Sequence, residues 1–238
     1  MSSSEEVKPR ANLLDFTSEA EKNVASAARL CYSDRGAEEL REKMSPGERE
    51  RLIEKVLELG HYSTLEHTFF SFHIVCSRVT SHQLVRQRIG VAYSQRSQRY
   101  VKEGEFSYII PPSIEESEDR AGEEFRRHME VSRERYNRLL EEEIPAEDAR
   151  FVLPAIKTNL IASYNARSLY HLFELRCCRR AQWEIRTLAE QMRDQVSEKF
   201  PVLFSRAGPK CETEGFCPEG ELSCGRLDEK DEGGKRDG

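Results

Sequence analysis

Residues 68–88, TFFSFHIVCSRVTSHQLVRQR, decide the fold class, because two kinds of pattern meet within them. The first part, residues 68–79, is aromatic and β-branched with few breakers, which predicts a well-buried strand. The second part, SHQLVRQR, carries a short helical pattern. The fold therefore combines a strand with helices at close range.

The flanking segments extend this mixture. Residues 17–30 have a helical spacing of Ala, Val and Leu, and Ser45-Pro46 reads as the cap and first turn of a helix that runs through Leu59 and stops at Gly60. A glycine-containing segment, IGVAYSQRSQRY, follows the opening stretch. FSYIIPP, residues 106–112, predicts a second strand that ends at its prolines.

The second half of the chain is mainly helical. Residues 115–143 form a charged helical pattern, and Pro145 begins another short helix. TNLIASY, residues 158–164, fits either a strand or the start of a helix. Two strong helical patterns follow, NARSLYHLFELRCC and AQWEIRTLAEQMRDQVSEKF, the latter ended by Pro201. In the second of these patterns, Trp183 is most simply a core residue.

These patterns predict a helix-rich α+β protein with a loose tail. We expect one domain over residues 1–208 and a Cys-containing, partly disordered tail over 209–238. Residues 228–238, DEKDEGGKRDG, contain no apolar side chain, and we expect them to be disordered.

Composition limits the function classes. Of 238 residues, 37% are apolar and 34% are charged, and 37 basic against 43 acidic residues give a net charge of −6, which argues against a basic nucleic-acid binder. No run approaches 18 apolar residues, and MSSSEEVKPR lacks the pattern of a secretory signal, so we expect no membrane span and no export. Seven cysteines without such a signal predict reduced thiols in the cytoplasm.

The most informative feature is a local charge imbalance. No Asp or Glu lies between Glu66 and Glu103, although the chain contains 43. We call residues 78–99 the arginine window, because they hold five arginines and no lysine: Arg78, Arg86, Arg88, Arg96 and Arg99. Arginine in place of lysine favours planar, bidentate contact with phosphate, carboxylate or a heterocycle. The bland alternative is that these arginines pair with acids of residues 115–147.

Spacing within the arginine window suggests two ligand sides. On the predicted helical segment, Gln83, Arg86 and Gln87 share one face and Arg88 lies about 200° from Arg86. Further on, Ser94, Gln95, Ser97 and Gln98 supply short polar groups and backbone donors around Arg96 and Arg99, which suggests a phosphate cradle.

Three other features allow competing interpretations. His61 and His67 fit neither common zinc spacing, so a hydrogen-bonded or ligand-contacting loop is favoured over a metal site. Arg176 continues an apolar helical stripe, which suits either a structural ion pair or a cation held in a semi-enclosed site. Cysteines 211, 217 and 224 lack a CxxC spacing, so free thiols are favoured over zinc, which would need a fourth ligand such as Cys177 or Cys178; we predict no metal.

Several motifs in one order resemble a known family. HxSxxEH (61–67), QxxRxR (83–88), SQxSQRY (94–100), RxxLP (150–154), NARSLxHxxxLR (165–176) and AQWEIR (181–186) are similar to motifs of the flavin-dependent thymidylate synthases. The match runs from about Ala27 to Pro201. The family signature is Arg-His-Arg, seven residues and Ser, whereas this chain has Arg86-Gln87-Arg88, eight residues and Ser97. Gln87 thus replaces a histidine that lies against the flavin in that family.

The resemblance implies a central, mostly antiparallel sheet flanked by long helices, in a homotetramer, together with two sets of ligand contacts. For dUMP it implies Gln83, Arg86, Gln95, Arg96, Ser97, Gln98, Arg99, Arg150 and Arg176, with Ser97 and Arg99 at the phosphate. For FAD it implies Ser63, Arg86, Gln87, Arg88, Gln95, Asn165, Arg167 and His171. Arg176 and His61 take the catalytic positions: Arg176 favours ionisation of uracil N3, and His61 lies near the flavin and folate.

The reaction that the resemblance implies is reductive methylation of dUMP to dTMP. Methylenetetrahydrofolate is the one-carbon donor, reduced FAD gives the hydride and NADPH is the reductant. None of the seven cysteines aligns with a nucleophile. The alternative is a non-catalytic nucleotide- or RNA-binding module that uses the arginine window, although the acidic flanks make affinity for a nucleic-acid backbone poor.

Overall fold

The computed structural model describes residues 5–118 and 120–227, and it confirms the α+β class. Four strands form one sheet in the order β1-β2-β4-β3. They are β1 (Arg10–Phe16), β2 (Phe69–Ser77), β3 (Val91–Gln95) and β4 (Lys157–Asn165). The ambiguous segment 158–164 is therefore a strand, and the strand predicted over 68–79 is confirmed, ending where Arg78 begins a helix.

Hydrogen bonds give the sheet its antiparallel register. At one end of the β3–β4 pair, the Arg96 amide donates to the Asn159 carbonyl, and at the other end the Asn165 amide donates to the Gly90 carbonyl. As the residue number rises on one strand it falls on the other, which is the antiparallel arrangement. The Thr17 amide similarly donates to the Phe69 carbonyl beside the β1–β2 pair.

Helices account for most of the remaining regular structure within the described residues. The α-helices are α1 (Ala20–Leu30), α2 (Ala37–Lys43), α3 (Pro46–Glu58), α4 (Arg78–Leu84), α5 (Pro112–Glu115), α6 (Ala121–Glu141), α7 (Ala146–Ala149), α8 (Ala166–Arg176), α9 (Trp183–Lys199) and α10 (Lys210–Thr213). Short 3₁₀ turns cover Tyr62–His67, Arg150–Val152 and Gly220–Leu222. Ser45 caps α3 in a capping box with Glu48, as its sequence predicts. None of these helices combines the length and apolar character that a membrane span requires.

Two compact units divide the described residues. The first unit takes its residues from 1–10, 73–86 and 93–161, and the second from 11–72, 87–92 and 162–238. Each unit is thus assembled from separate stretches of the chain. The tail predicted over 209–238 contributes α10 and one 3₁₀ turn, and the disorder predicted for 228–238 lies outside the described residues.

The first unit has an aromatic core that corrects one expectation. Residues 106–112 are not a strand: only Tyr108 pairs, in an isolated parallel bridge with Glu6. Phe106, Tyr108 and Ile110 instead pack in a cluster that includes Met129 of α6. Alternate burial against a helix gives the same sequence pattern as alternate burial in a sheet, so the pattern alone could not separate the two.

The second unit is built around contacts between aromatic rings. Phe204 packs edge-on against Phe70 and Phe173 and stacks with Tyr170, with ring centroids 5.3 to 6.3 Å apart. Such edge and offset contacts add to the burial of apolar area. Trp183, expected in the core, is only partly buried at the start of α9.

Candidate functional site

A tight turn after β3 presents a candidate anion-binding geometry in the first unit. The amides of Tyr100 and Val101 both donate to the Ser97 carbonyl, and the Arg99 amide donates to the Ser97 hydroxyl. The amides of Ser97 and Gln98 have no hydrogen-bond partner among the described residues. Free backbone amides beside arginine side chains form the kind of concavity that binds phosphate. We call residues 96–101 the Ser97 turn.

Glu147 brings two of the predicted dUMP residues together. Its carboxylate accepts a hydrogen bond from Arg99 Nε at 2.9 Å, and its backbone carbonyl accepts one from Arg150 Nε at 2.9 Å. Both side chains of the Arg99–Glu147 pair are about half exposed. Sequence analysis did not single out Glu147, although its place three residues before Arg150 in a short helical turn was a usable signal.

Gln95 is held by protein groups on one side, and α4 is shorter than the sequence predicts. The Gln95 amide donates to Ser81 Oγ at 3.0 Å and Thr158 Oγ1 at 3.3 Å, so its NH₂ group points into protein. Helix α4 ends at Leu84, so Arg86 and Gln87 are not on a helical face with Gln83. The expected two-sided arrangement of Arg86 and Arg88 on a helix is therefore wrong.

The five arginines of the arginine window differ in whether a carboxylate lies near them. Arg99 pairs with Glu147, one of the acids of 115–147, as the bland alternative expected. Arg96 lies 3.6 Å from Glu103, an acid outside that range. For the remaining three arginines, Arg78, Arg86 and Arg88, no carboxylate of the described residues lies within ion-pair distance.

In the second unit, a loop carrying Gln87 and Arg88 is fastened to the start of α8. Gln87 Nε2 donates to the Ser168 carbonyl at 2.7 Å, and Ser168 Oγ donates to the Ile89 carbonyl at 2.6 Å. Asn165 caps α8 by accepting the Ser168 amide at 2.8 Å. Two predicted flavin contacts, Gln87 and Asn165, are thus in one hydrogen-bond network.

Gly90 allows this close approach. Its φ of +68° lies in the left-handed region, and an added Cβ would come within 2.4 Å of both Asn165 Nδ2 and Ser168 Oγ. Only a residue without a side chain fits such a position without strain. The loop geometry therefore depends on glycine at 90.

The 3₁₀ turn Tyr62–His67 carries further predicted flavin contacts and is joined to α8. Arg167 forms an ion pair with Glu66, and the rings of Tyr62 and Tyr170 stack with centroids 5.4 Å apart. Ser63 is exposed within this turn, and the exposed His61 immediately precedes it.

The donors of the second unit suit an anionic, heterocyclic cofactor. Arg88 and His171 are exposed and have no polar partner among the described residues. A guanidinium and an imidazole in this state are available for phosphate oxygens and ring acceptors. The chemistry of this donor set therefore fits a dinucleotide such as FAD.

Arg176 lies at the end of α8, in the wall of a cavity of about 300 Å³. The side chain is half-buried, and no carboxylate of residues 5–118 and 120–227 lies within ion-pair distance of it. Of its two sequence interpretations, the structural ion pair is therefore not supported within that part of the chain.

Four thiols line the same cavity: Cys178, Cys211, Cys217 and Cys224. All are free, and no group of three or more His, Cys, Asp or Glu side chains in the described part of the chain could hold a metal ion. The zinc alternative has no ligand set there. Cys177 is buried, and burial raises the pKa of its thiol to about 12.

Comparisons with known proteins agree on one family. A family model described as thymidylate synthase complementing protein matches residues 12–202. The flavin-dependent thymidylate synthase of Geobacter sulfurreducens is 48% identical over 221 residues, covering 91% of this chain and 94% of that protein. The enzyme of the same name from Clostridium tetani is 42% identical over 238 residues, covering 92% and 94%.

A solved structure is similar as well. The UMP/dUMP methylase PolB from Streptomyces cacaoi, bound with 5-Br dUMP, superimposes with a TM-score of 0.74 and 26% identity, covering 84% of this chain and 95% of that chain. Together these matches define a methyltransferase of nucleotide metabolism. More narrowly, the chain belongs to the flavin-dependent thymidylate synthases, and a flavin is its cofactor.

Proposed function

We propose that the protein converts dUMP to dTMP with methylenetetrahydrofolate as one-carbon donor and NADPH as reductant. The main support is the Ser97 turn, where two amides without a hydrogen-bond partner in the described part of the chain lie beside Arg96 and Arg99. A dianionic phosphate needs several donors and positive charge at one point, and this turn offers both. The bound 5-Br dUMP of the similar methylase is consistent with such a ligand.

The dUMP contacts that we propose are those implied by the resemblance. They are Gln83, Arg86, Gln95, Arg96, Ser97, Gln98, Arg99, Arg150 and Arg176. Glu147 joins this proposal, because it holds Arg99 and Arg150 from one residue. For Gln95, the inward-pointing NH₂ group leaves the amide oxygen for the ligand.

Arg176 is the proposed catalytic cation. A guanidinium beside the uracil ring stabilises the negative charge that develops when N3 loses its proton, which activates C5 without a cysteine nucleophile. The lack of a carboxylate partner among the described residues leaves its charge uncompensated for this role. His61 is proposed to contact the flavin and folate.

FAD is the proposed flavin, held by Ser63, Arg86, Gln87, Arg88, Gln95, Asn165, Arg167 and His171. When bound, it supplies the hydride chemistry. The chain's own residues orient it: Gln87 and Asn165 fix the loop and the helix start, and Arg88 and His171 offer donors to anionic groups. The neutral amide of Gln87 takes the place of the family's histidine there.

A homotetramer is the proposed assembly, with ligand sites built by several subunits, and the cytoplasm is the proposed location. The domain limits 1–208 and 209–238 also remain our prediction. The non-catalytic nucleotide- or RNA-binding alternative has less support. The relatives that match nearly the whole chain are named as enzymes.

The direct test is tritium release from 5-tritiated dUMP in the presence of FAD, NADPH and methylenetetrahydrofolate. We expect release with the full mixture and none when the folate is omitted. Purified protein with a flavin band near about 450 nm would support the enzyme. Colourless protein that binds dUMP or RNA without tritium release would instead support the binding module.

The Arg99→Ala variant tests the phosphate contact. Loss of one charge-assisted hydrogen bond costs about 1.5–3 kcal/mol, so the Kd of dUMP should rise by at least tenfold. Glu147→Gln is the matched variant, because it frees Arg99 instead of removing it, and dUMP binding should be retained or strengthened. An unaltered Kd in Arg99→Ala would refute the phosphate assignment.

A further inference from the structure

One buried charged group of the first unit, Glu103, lies outside the proposed ligand contacts. Glu103 is the first acid after the acid-free stretch, and only 5% of its surface is exposed. A buried carboxylate costs free energy unless it is paired and hydrogen-bonded. Its ion-pair contact among the described residues is the Arg96 guanidinium, at 3.6 Å, which is longer than a good hydrogen bond.

The backbone around Glu103 is held firmly by helix α6. The Glu103 amide donates to the buried Tyr136 hydroxyl at 3.2 Å. On the next residue, the Gly104 carbonyl accepts a hydrogen bond from Asn137 Nδ2 at 3.3 Å. Two neighbouring side chains of one helix thus hold the backbone from which the Glu103 side chain extends.

Burial and the nearby cations shift the pKa of Glu103 in opposite directions. Burial raises the pKa of the carboxyl, and Arg96, Lys157 of β4 and Arg78 of α4 each lower it, Arg96 by the most. Burial outweighs the three cations, and the net direction is upward. Any loss of the Arg96 contact removes the largest of the lowering effects.

Arg96 itself belongs to the Ser97 turn. Its amide is fixed to the Asn159 carbonyl at 3.0 Å, while its side chain is partly exposed. The side chain can therefore leave its 3.6 Å contact with Glu103 and form closer hydrogen bonds with another anion, while the backbone stays in place. A phosphate at the turn would be such an anion.

We propose that Glu103 is a positioning residue that holds Arg96 beside the Ser97 turn until the phosphate of dUMP replaces it, so that Glu103 takes up a proton when the nucleotide binds. This inference rests on the proposed function, because it needs dUMP at the turn. Losing Arg96 and gaining a nearby dianion both disfavour the ionised carboxylate. By linkage, dUMP affinity increases as pH falls through the pKa that Glu103 has in the complex, and levels off below its pKa in the free protein.

Calorimetric titration of the holoenzyme with dUMP tests the proposal. Titration at about pH 6.5, above the usual range of a carboxyl pKa, in two buffers with different ionisation enthalpies gives the number of protons taken up. We expect uptake by the wild type and a clear decrease in Glu103→Gln, where only the phosphate of the ligand can titrate. A merely structural role of Glu103 would change affinity and leave the proton count unaltered.

Glu105→Gln is the matched control, because the side chain of Glu105 is 69% exposed and lies 3.9 Å from Arg133. Its proton count should equal that of the wild type. If Glu103→Gln fails to fold, Arg96→Gln serves instead: no guanidinium is then left for the phosphate to displace from Glu103, so proton uptake should decrease. If the wild type and the folded variant bind dUMP with equal proton counts, the inference about Glu103 is overturned and the proposed function is not. If the wild type does not bind dUMP at all, the proposed function is overturned as well.

Discussion

Replacing Gly90 by alanine should damage the loop that carries Gln87 and Arg88. At a φ of +68°, an alanine pays about 1–2 kcal/mol for the left-handed conformation. The new Cβ would also lie 2.4 Å from Asn165 Nδ2 and Ser168 Oγ, and overpacking of this kind costs about 1–3 kcal/mol more. The total expected loss is about 2–5 kcal/mol.

Gly60 offers an internal control. It has the same φ of +68°, but nothing lies within 4 Å of its added Cβ. Gly60→Ala should therefore lose only the conformational part. For a chain of this size, about 1 kcal/mol changes the Tm by about 2–4 °C, so Gly90→Ala should melt about 2–12 °C below Gly60→Ala.

Differential scanning fluorimetry of both variants measures this difference, and the flavin absorbance of the purified proteins measures cofactor retention. Gly90→Ala should lose flavin, because a displaced loop breaks the hydrogen bonds from Gln87 and Ser168. Gly60→Ala should retain it. Equal Tm values, or full flavin retention in Gly90→Ala, would refute the close-packing argument.

Two further predictions follow from the cavity and the thiols. Arg176→Ala should lose turnover of 5-tritiated dUMP while retaining flavin, whereas Arg180→Ala, in the same cavity wall but paired with Glu219, should keep most of its activity; unchanged turnover in Arg176→Ala would remove its catalytic role. Iodoacetamide at about pH 8 should label the exposed Cys31 and spare Cys177, whose pKa of about 12 leaves about one thiol in 10⁴ ionised. Peptide mapping that finds Cys177 labelled first in folded protein would contradict this.

The sequence predicted the two inner strands of the sheet better than the outer ones. β2 is aromatic and buried, and the segment of β4 was at least recognised as strand-compatible. The outer strands β1 and β3 were missed, because their residues are mostly exposed or half-buried and show no regular alternation of apolar and polar side chains. An edge strand is stabilised by pairing on one side only, so its sequence carries less of the pattern.

Local capping signals were the most reliable guide to helices. Ser45-Pro46 marked the start of α3 correctly, since cap and first-turn preferences depend on a few adjacent residues. The end of α4 at Leu84 was not predicted. The loop that follows α4 is held by contacts of Gln87 and Gly90 with Ser168 and Asn165, and contacts between residues about 80 positions apart leave no local pattern.

The sequence could not predict which carboxylate each arginine pairs with. The free energy that such a pair contributes depends on how exposed its side chains are. The Arg99–Glu147 pair is about half exposed, and such pairs contribute about 0–1 kcal/mol. A hydrogen bond from a charged donor to a ligand phosphate is worth about 1.5–3 kcal/mol, so the phosphate can displace Glu147. Glu103 differs, because its side chain is buried and Arg96 is its ion-pair contact among the described residues. We therefore expect the charge state of Glu103 to respond to the ligand, whereas Glu147 can be solvated.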